Sequence, residues 1–139
     1  MRRSRRFLGA GVIAAGVVAG LASDPIPQAS AAPTVNTFQI PIVANCSTFF
    51  LPCSFTPVVI TGEAPGTVTF PALYPPEPGQ PTVKGSYFVH WRNLGTGTSG
   101  TLVVQVSEAV SVYTGPGLAT ASMTSGFDFI AGTGVFIVP

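Results

Sequence analysis

Hydrophobic positions along this chain fall into two regimes. From Phe7 to Ala22 they run together (FLGAGVIAAGVVAGLA) with no charge and no hydrogen-bonding side chain. Beyond residue 31 they alternate with polar residues or gather in short β-branched runs, cut apart by glycine and proline. Period-two runs bounded by Gly and Pro read as strands, and no stretch repeats apolar residues at helical spacing between caps.

Val35 to Val43 (VNTFQIPIV) sets Val35, Thr37 and Gln39 against Phe38, Ile40 and Ile42, with Pro41 predicting an edge strand or a bulge. Phe55 to Thr61 and Gly66 to Phe70 are the next two expected strands, the latter with Val68 and Phe70 on one face. Pro71 to Pro81 carries five prolines (Pro71, Pro75, Pro76, Pro78, Pro81), and predicts a stiff exposed crossover between two sheets. Lys84 to Asn93 is the clearest strand: Tyr87, Val89 and Trp91 alternate with Phe88, His90 and Arg92, and Trp91 is the expected core anchor. The turn Leu94 to Gly100 joins it to Thr101–Val106 as a hairpin. Val110–Tyr113, Leu118–Thr124 and Val135–Val138 complete the set, and Phe127 to Ile130 adds a turn of strand. Seven or eight short strands at this spacing predict an all-β fold, an antiparallel immunoglobulin-like β-sandwich, with a small β-barrel as the alternative.

The first regime has a different meaning. Arg2, Arg3, Arg5 and Arg6 precede the apolar run, and Asp24, Pro25, Pro27 and then Ala29-Ser30-Ala31 follow it. Positive start, apolar middle and small-residue exit form a secretory signal peptide, expected over residues 1–31 with cleavage after Ala31. The rival is an uncleaved anchor, but sixteen residues at ~1.5 Å each span only ~24 Å of a ~30 Å hydrocarbon core. Arg5-Arg6-Phe7-Leu8 hints at twin-arginine export, with imperfect spacing, and the ordinary secretory route leads. Residues 32–139 then form a single domain with no transmembrane span after cleavage.

Removing the signal changes the electrostatics. Lys84 and Arg92 remain against Glu63, Glu77, Glu108 and Asp128, a net charge near −2. Nucleic acid and anionic bilayers, which need a basic patch, are excluded as partners. So few charges leave a surface of Thr, Ser, Gly, Pro and apolar groups, without the repulsion that keeps soluble proteins apart. Such a surface is either an extracellular domain covered in Thr and Ser, or one that rests in part against an envelope layer, a partner or another copy of itself.

Cys46 and Cys53 are the only cysteines, and in an exported chain they are expected to pair. A ring so short contributes ~2.5 kcal/mol by loop entropy. It encloses Ser47-Thr48-Phe49-Phe50-Leu51-Pro52, which makes Phe49, Phe50 and Leu51 a candidate contact loop, pre-organised for binding. The alternative is that the loop folds back to cap one end of the sandwich.

Catalysis finds little support. Nucleophilic chemistry needs a base beside the nucleophile, and His90 is the only histidine, on the face opposite Trp91. Glu63, Glu77, Glu108 and Asp128 read as solvated charges in or near turns; Asp128, between Phe127 and Phe129, reads as an outward-pointing strand residue. Gly95-Thr96-Gly97 opens no helix and so cradles no phosphate. No catalytic residue, metal ligand or cofactor site is expected.

Three features together carry a resemblance: the arginine-rich leader ending Ala-Ser-Ala-Ala, the segment Val89-His90-Trp91-Arg92-Asn93-Leu94 followed by Thr96-Gly97-Thr98-Ser99-Gly100, and the closing Gly132-Thr133-Gly134-Val135-Phe136. In these the chain resembles small secreted β-proteins of uncharacterised function from mycobacteria, nocardiae and related actinobacteria. The resemblance implies an exported, envelope-associated or extracellular β-protein and transfers no functional residues. The chain also loosely resembles the apoproteins of enediyne antibiotics, which carry two disulfides where this chain can form only one. The expected function is thus a secreted or cell-envelope-associated, non-enzymatic β-domain that binds an unknown protein or envelope component. The alternatives are a self-assembling envelope subunit, as a fibre or an oligomeric pore, and then a small secreted enzyme with a polar pocket around His90.

Overall fold

A computed structural model of the chain describes residues 32–45 and 52–139. Residues 1–31, where the signal peptide is expected, and residues 46–51, with Cys46, Phe49, Phe50 and Leu51, lie outside the described residues. Among the described residues there is no helix. Eleven strands form three antiparallel sheets, none closed into a barrel: β1 (Thr34–Thr37), β2 (Ile42–Asn45), β3 (Pro52–Phe55), β4 (Val58–Thr61), β5 (Thr67–Phe70), β6 (Ser86–Asn93), β7 (Ser99–Gln105), β8 (Val110–Tyr113), β9 (Gly117–Thr124), β10 (Asp128–Ile130) and β11 (Gly132–Val138).

Two four-stranded sheets, in the orders β1-β4-β5-β8 and β11-β9-β6-β7, form the sandwich. Their inner faces supply one core. Val59, Val68 and Phe70 come from the first sheet, and Val89, Val104, Ala119, Ala121, Met123, Phe136 and Val138 from the second. The chain changes sheets between β5 and β6, again between β7 and β8, and again between β8 and β9. That interleaving is Greek-key connectivity of the immunoglobulin-like kind. Pro71 to Pro81 makes the first of these crossings, as its composition predicts, and β6–β7 is the expected hairpin with unbroken register from Ser86↔Gln105 to Arg92↔Ser99.

There are more strands than the seven or eight expected, because two prolines divide what the pattern joins. Pro41 lies between β1 and β2, and the two halves of the expected Val35–Val43 strand pair in different sheets. Pro57 likewise splits Phe55–Thr61 into the end of β3 and the whole of β4. The third sheet, β10-β2-β3, packs on one end of the sandwich through Phe55, whose ring meets Tyr87 edge-on at 5.7 Å.

Glycines set the depth at which large side chains seat. Gly134 lies under Phe38, which is 3% exposed; a Cβ there would stand 2.6 Å from the ring. Gly132 similarly receives Ile42 and Pro57. Gly100, directly opposite Trp91, leaves its indole room. Trp91 lies on the inner face as expected, yet it is half-buried and packs against the core, while Phe70, Ile42 and Met123 are the largest side chains wholly enclosed.

Two polar side chains, Asn93 and Thr61, are also wholly buried. Asn93, at the end of β6, aims its Nδ2 at the carbonyls of Thr114, Gly115 and Pro116 at 3.0–3.1 Å. Its Oδ1 accepts from the amides of Gly95 and Thr96. A single amide thus ties the β6–β7 turn to the β8–β9 crossover, satisfying groups that would otherwise be buried unpaired.

Candidate functional site

The end of the sandwich that carries the third sheet also carries an open cleft. Val106, just past β7, holds both ends of the proline-rich crossover: its carbonyl accepts from the Tyr74 amide at 2.8 Å and its amide donates to the Gly85 carbonyl at 3.0 Å. Between this clamp and the turn after β9 lies a hollow of about 500 Å³, lined by Tyr74, Tyr87, Phe88 and Phe127 with Val83 and Lys84. A second hollow over Leu73 to Val83 shares Tyr74 and Val83 with it.

Phe127 is the outermost member, 86% exposed. It is held there by a built turn. The Asp128 carboxylate accepts from the Ser125 amide and hydroxyl, both at 2.6 Å, and from the Thr124 hydroxyl at 2.8 Å. The Gly126 amide donates to the Thr124 hydroxyl and the Phe127 amide to the Ser125 hydroxyl. Gly126 takes a positive φ of 82°, which lets the chain reverse without strain. Partial burial pushes the Asp128 carboxyl up, but the hydrogen bonds from Ser125 and Thr124 outweigh it and leave it below the ordinary carboxylate range. The reading of Asp128 as an outward-pointing solvated charge is therefore corrected: it is half-buried and organises the turn.

Tyr87 is the inner member, against Phe55. Burial first, then Tyr74 and Asp128 nearby, raise its hydroxyl above the ordinary tyrosine value. It stays protonated over the physiological range and can donate a hydrogen bond. The cleft therefore offers aromatic faces, phenolic hydroxyls and one lysine, a combination suited to contact with a surface of mixed polarity.

The other singled-out residues lie elsewhere. His90 faces outward from β6, with Nδ1 2.9 Å from the Thr101 hydroxyl. Glu63 accepts from Thr69, and Glu77 closes a turn in the crossover by accepting the Gln80 amide on its carbonyl. Cys53 is half-buried in β3, in register with Ala44, which pairs in turn with Asp128. Cys46, its expected disulfide partner, and the contact loop Phe49, Phe50 and Leu51 fall outside the described residues. Sequence reading missed the cleft because its members are spread over four segments. The available signal was Ser125-Gly126-Phe127-Asp128, turn chemistry that presents an aromatic residue. No protein-family model, no curated protein and no solved structure matches this chain.

Proposed function

We propose that this protein is a secreted or cell-envelope-associated, non-enzymatic binding domain whose contact surface is the aromatic cleft around Phe127. The observation that carries the reading is a fully displayed phenylalanine on a turn whose geometry is fixed by hydrogen bonds to Asp128. Monomeric soluble domains gain nothing in stability from exposing such a ring, and an anchor already fixed in place loses little entropy on binding. Tyr74, Tyr87, Phe88 and Lys84 supply the surrounding surface. Aromatic residues of this type dominate binding hot spots. The proposal extends to Phe49, Phe50 and Leu51, the apolar residues between Cys46 and Cys53. Export by the residues 1–31 signal and the Cys46–Cys53 disulfide belong to the same proposal.

Co-sedimentation of the processed protein with the envelope fraction of the producing cells tests it. Wild type should sediment with the envelope. Phe127→Ser and Phe88→Ser should each remain largely in the supernatant, with melting temperatures close to wild type because both side chains are exposed. Equal sedimentation of the variants would remove the cleft from the binding surface, and a wild type that stays in the supernatant would overturn envelope association.

A further inference from the structure

We propose that β7 is a pairing edge for a second copy of this chain, joined antiparallel across a two-fold axis at Leu102. The strand is the outermost of its sheet, seven residues long and in unbroken register with β6. The bonds Asn93 N–H to Thr98 C=O and Val106 N–H to Gly85 C=O fix the phase of the β6–β7 ladder. Even-numbered residues of β7 therefore bond to β6. Ser99, Thr101, Val103 and Gln105 point their backbone groups away from the sheet. Among the described residues nothing accepts from those four amides, and of their carbonyls only that of Gln105 is engaged, by the Glu108 amide.

The other long edge of the same sheet is treated differently. Along β11, the backbone of Ile40 exchanges both bonds with Thr133, and the Gln39 side chain then takes over. Its Oε1 accepts from the Val135 amide at 2.7 Å and its Nε2 donates to the Val135 carbonyl at 3.4 Å. The outer edges β1 and β8 of the facing sheet are four residues each. Proteins blunt exposed edges with charges, prolines, bulges or shortness, and Ser99–Gln105 has none of these.

The occupant is argued from self-complementarity. A two-fold at Leu102 sets Thr101 against Val103 and Ser99 against Gln105, pairs of the kind that exchanges backbone bonds. The seam itself carries no charge. The charges that flank it are opposite in sign: Arg92 lies beside Ser99 at one end, and Glu108 follows Gln105 at the other. Antiparallel pairing brings the Arg92 end of one copy to the Glu108 end of the other. On the outer face that continues across the seam, Thr101, His90, Ser122 and Thr133 lie in one row.

Sedimentation velocity of the processed protein over a concentration series tests this. Wild type should form a dimer at micromolar concentration. Thr101→Lys plus Val103→Lys places lysine opposite lysine in that register and should weaken the dimer about tenfold or more. Thr101→Lys plus Val103→Glu restores opposite charges in each pair and should recover it. Both side chains are exposed, so melting curves should show all forms folded. In wild type the Thr101 and Val103 amides should exchange with solvent more slowly as concentration rises. A wild type that is monomeric at these concentrations overturns the proposal. So does a dimer indifferent to the double lysine variant, which would pair through another face.

Discussion

Replacing Asn93 by alanine removes the most connected side chain in the fold. Five hydrogen bonds go with it, and their partners differ in access to water. The Gly95 and Thr96 amides and the Pro116 carbonyl belong to exposed residues and can be rehydrated. Thr114 and Gly115 are buried, and their carbonyls retain only hydroxyl donors, Thr98 at 3.5 Å and Thr114 at 3.2 Å respectively. A buried group left unpaired costs about 1–3 kcal/mol, so two partly compensated carbonyls and a small void place the loss at about 2–4 kcal/mol. For a domain of this size that lowers the melting temperature by about 10–20 °C. Trp91 is the only tryptophan, half-buried two residues away, so its fluorescence during urea unfolding reports the change directly. Asn93→Asp sharpens the case. A carboxylate in the place of Nδ2 would face three carbonyls, so its folded pKa must rise above the unfolded value of about 3.9. Destabilisation is then greatest at neutral pH and relieved as pH falls toward that value, where the protonated acid can donate one bond. Asn93→Ala losing under about 0.5 kcal/mol, the range of surface substitutions, or Asn93→Asp showing no relief in acid, would defeat the account of Asn93 as a buried tie.

Other substitutions separate the remaining features. Gly134→Ala should cost about 1–3 kcal/mol, because the new Cβ meets a buried Phe38 ring that cannot move aside; Gly100→Ala should cost less, since Trp91 is half-buried and can tilt, and paired thermal melts decide the order. The Asp128 carboxyl is lowered on folding, so its contribution is present above the unfolded carboxylate pKa and is lost as pH falls through the folded value. Protection factors at Gly126 and Phe127, with the intrinsic pH dependence of exchange divided out, should fall in acid for wild type and be low at every pH in Asp128→Ala. Peptide sequencing of the exported protein should begin at Ala32, and a thiol reagent should find no reactive cysteine until the protein is reduced.

The alternation of Tyr87, Val89 and Trp91 against Phe88, His90 and Arg92 was enough to orient β6, and five prolines were enough to mark the crossing between sheets. Both are local signals, in which the side-chain period or the backbone restriction acts on the residues that carry it. Pro41 and Pro57 were ambiguous for the same reason. A proline reports that a ladder is interrupted, not which sheet the chain enters next. Asn93 was hidden because its partners Thr114 to Pro116 are some twenty residues away, and a buried asparagine reads in sequence as an ordinary turn residue. The aromatic cleft was hidden likewise. Tyr74 and Phe127 line one hollow because Val106 gathers the crossover and Asp128 shapes the turn.

Gln39 carries a consequence of another order, that of valence. By lending its amide to Val135 as though it were one more residue of a neighbouring strand, it extends the cover that Ile40 gives Thr133 and leaves β7 the more open edge of that sheet. A sheet open on both sides can add copies without end; one open on a single side is satisfied after one addition. Were Gln39 replaced by a residue without an amide, the backbone of Val135 would be left open beside the Ile40–Thr133 bridge. Gln39 and the Ile40–Thr133 bridge thus act together toward the proposed closed pair and against an open chain of subunits.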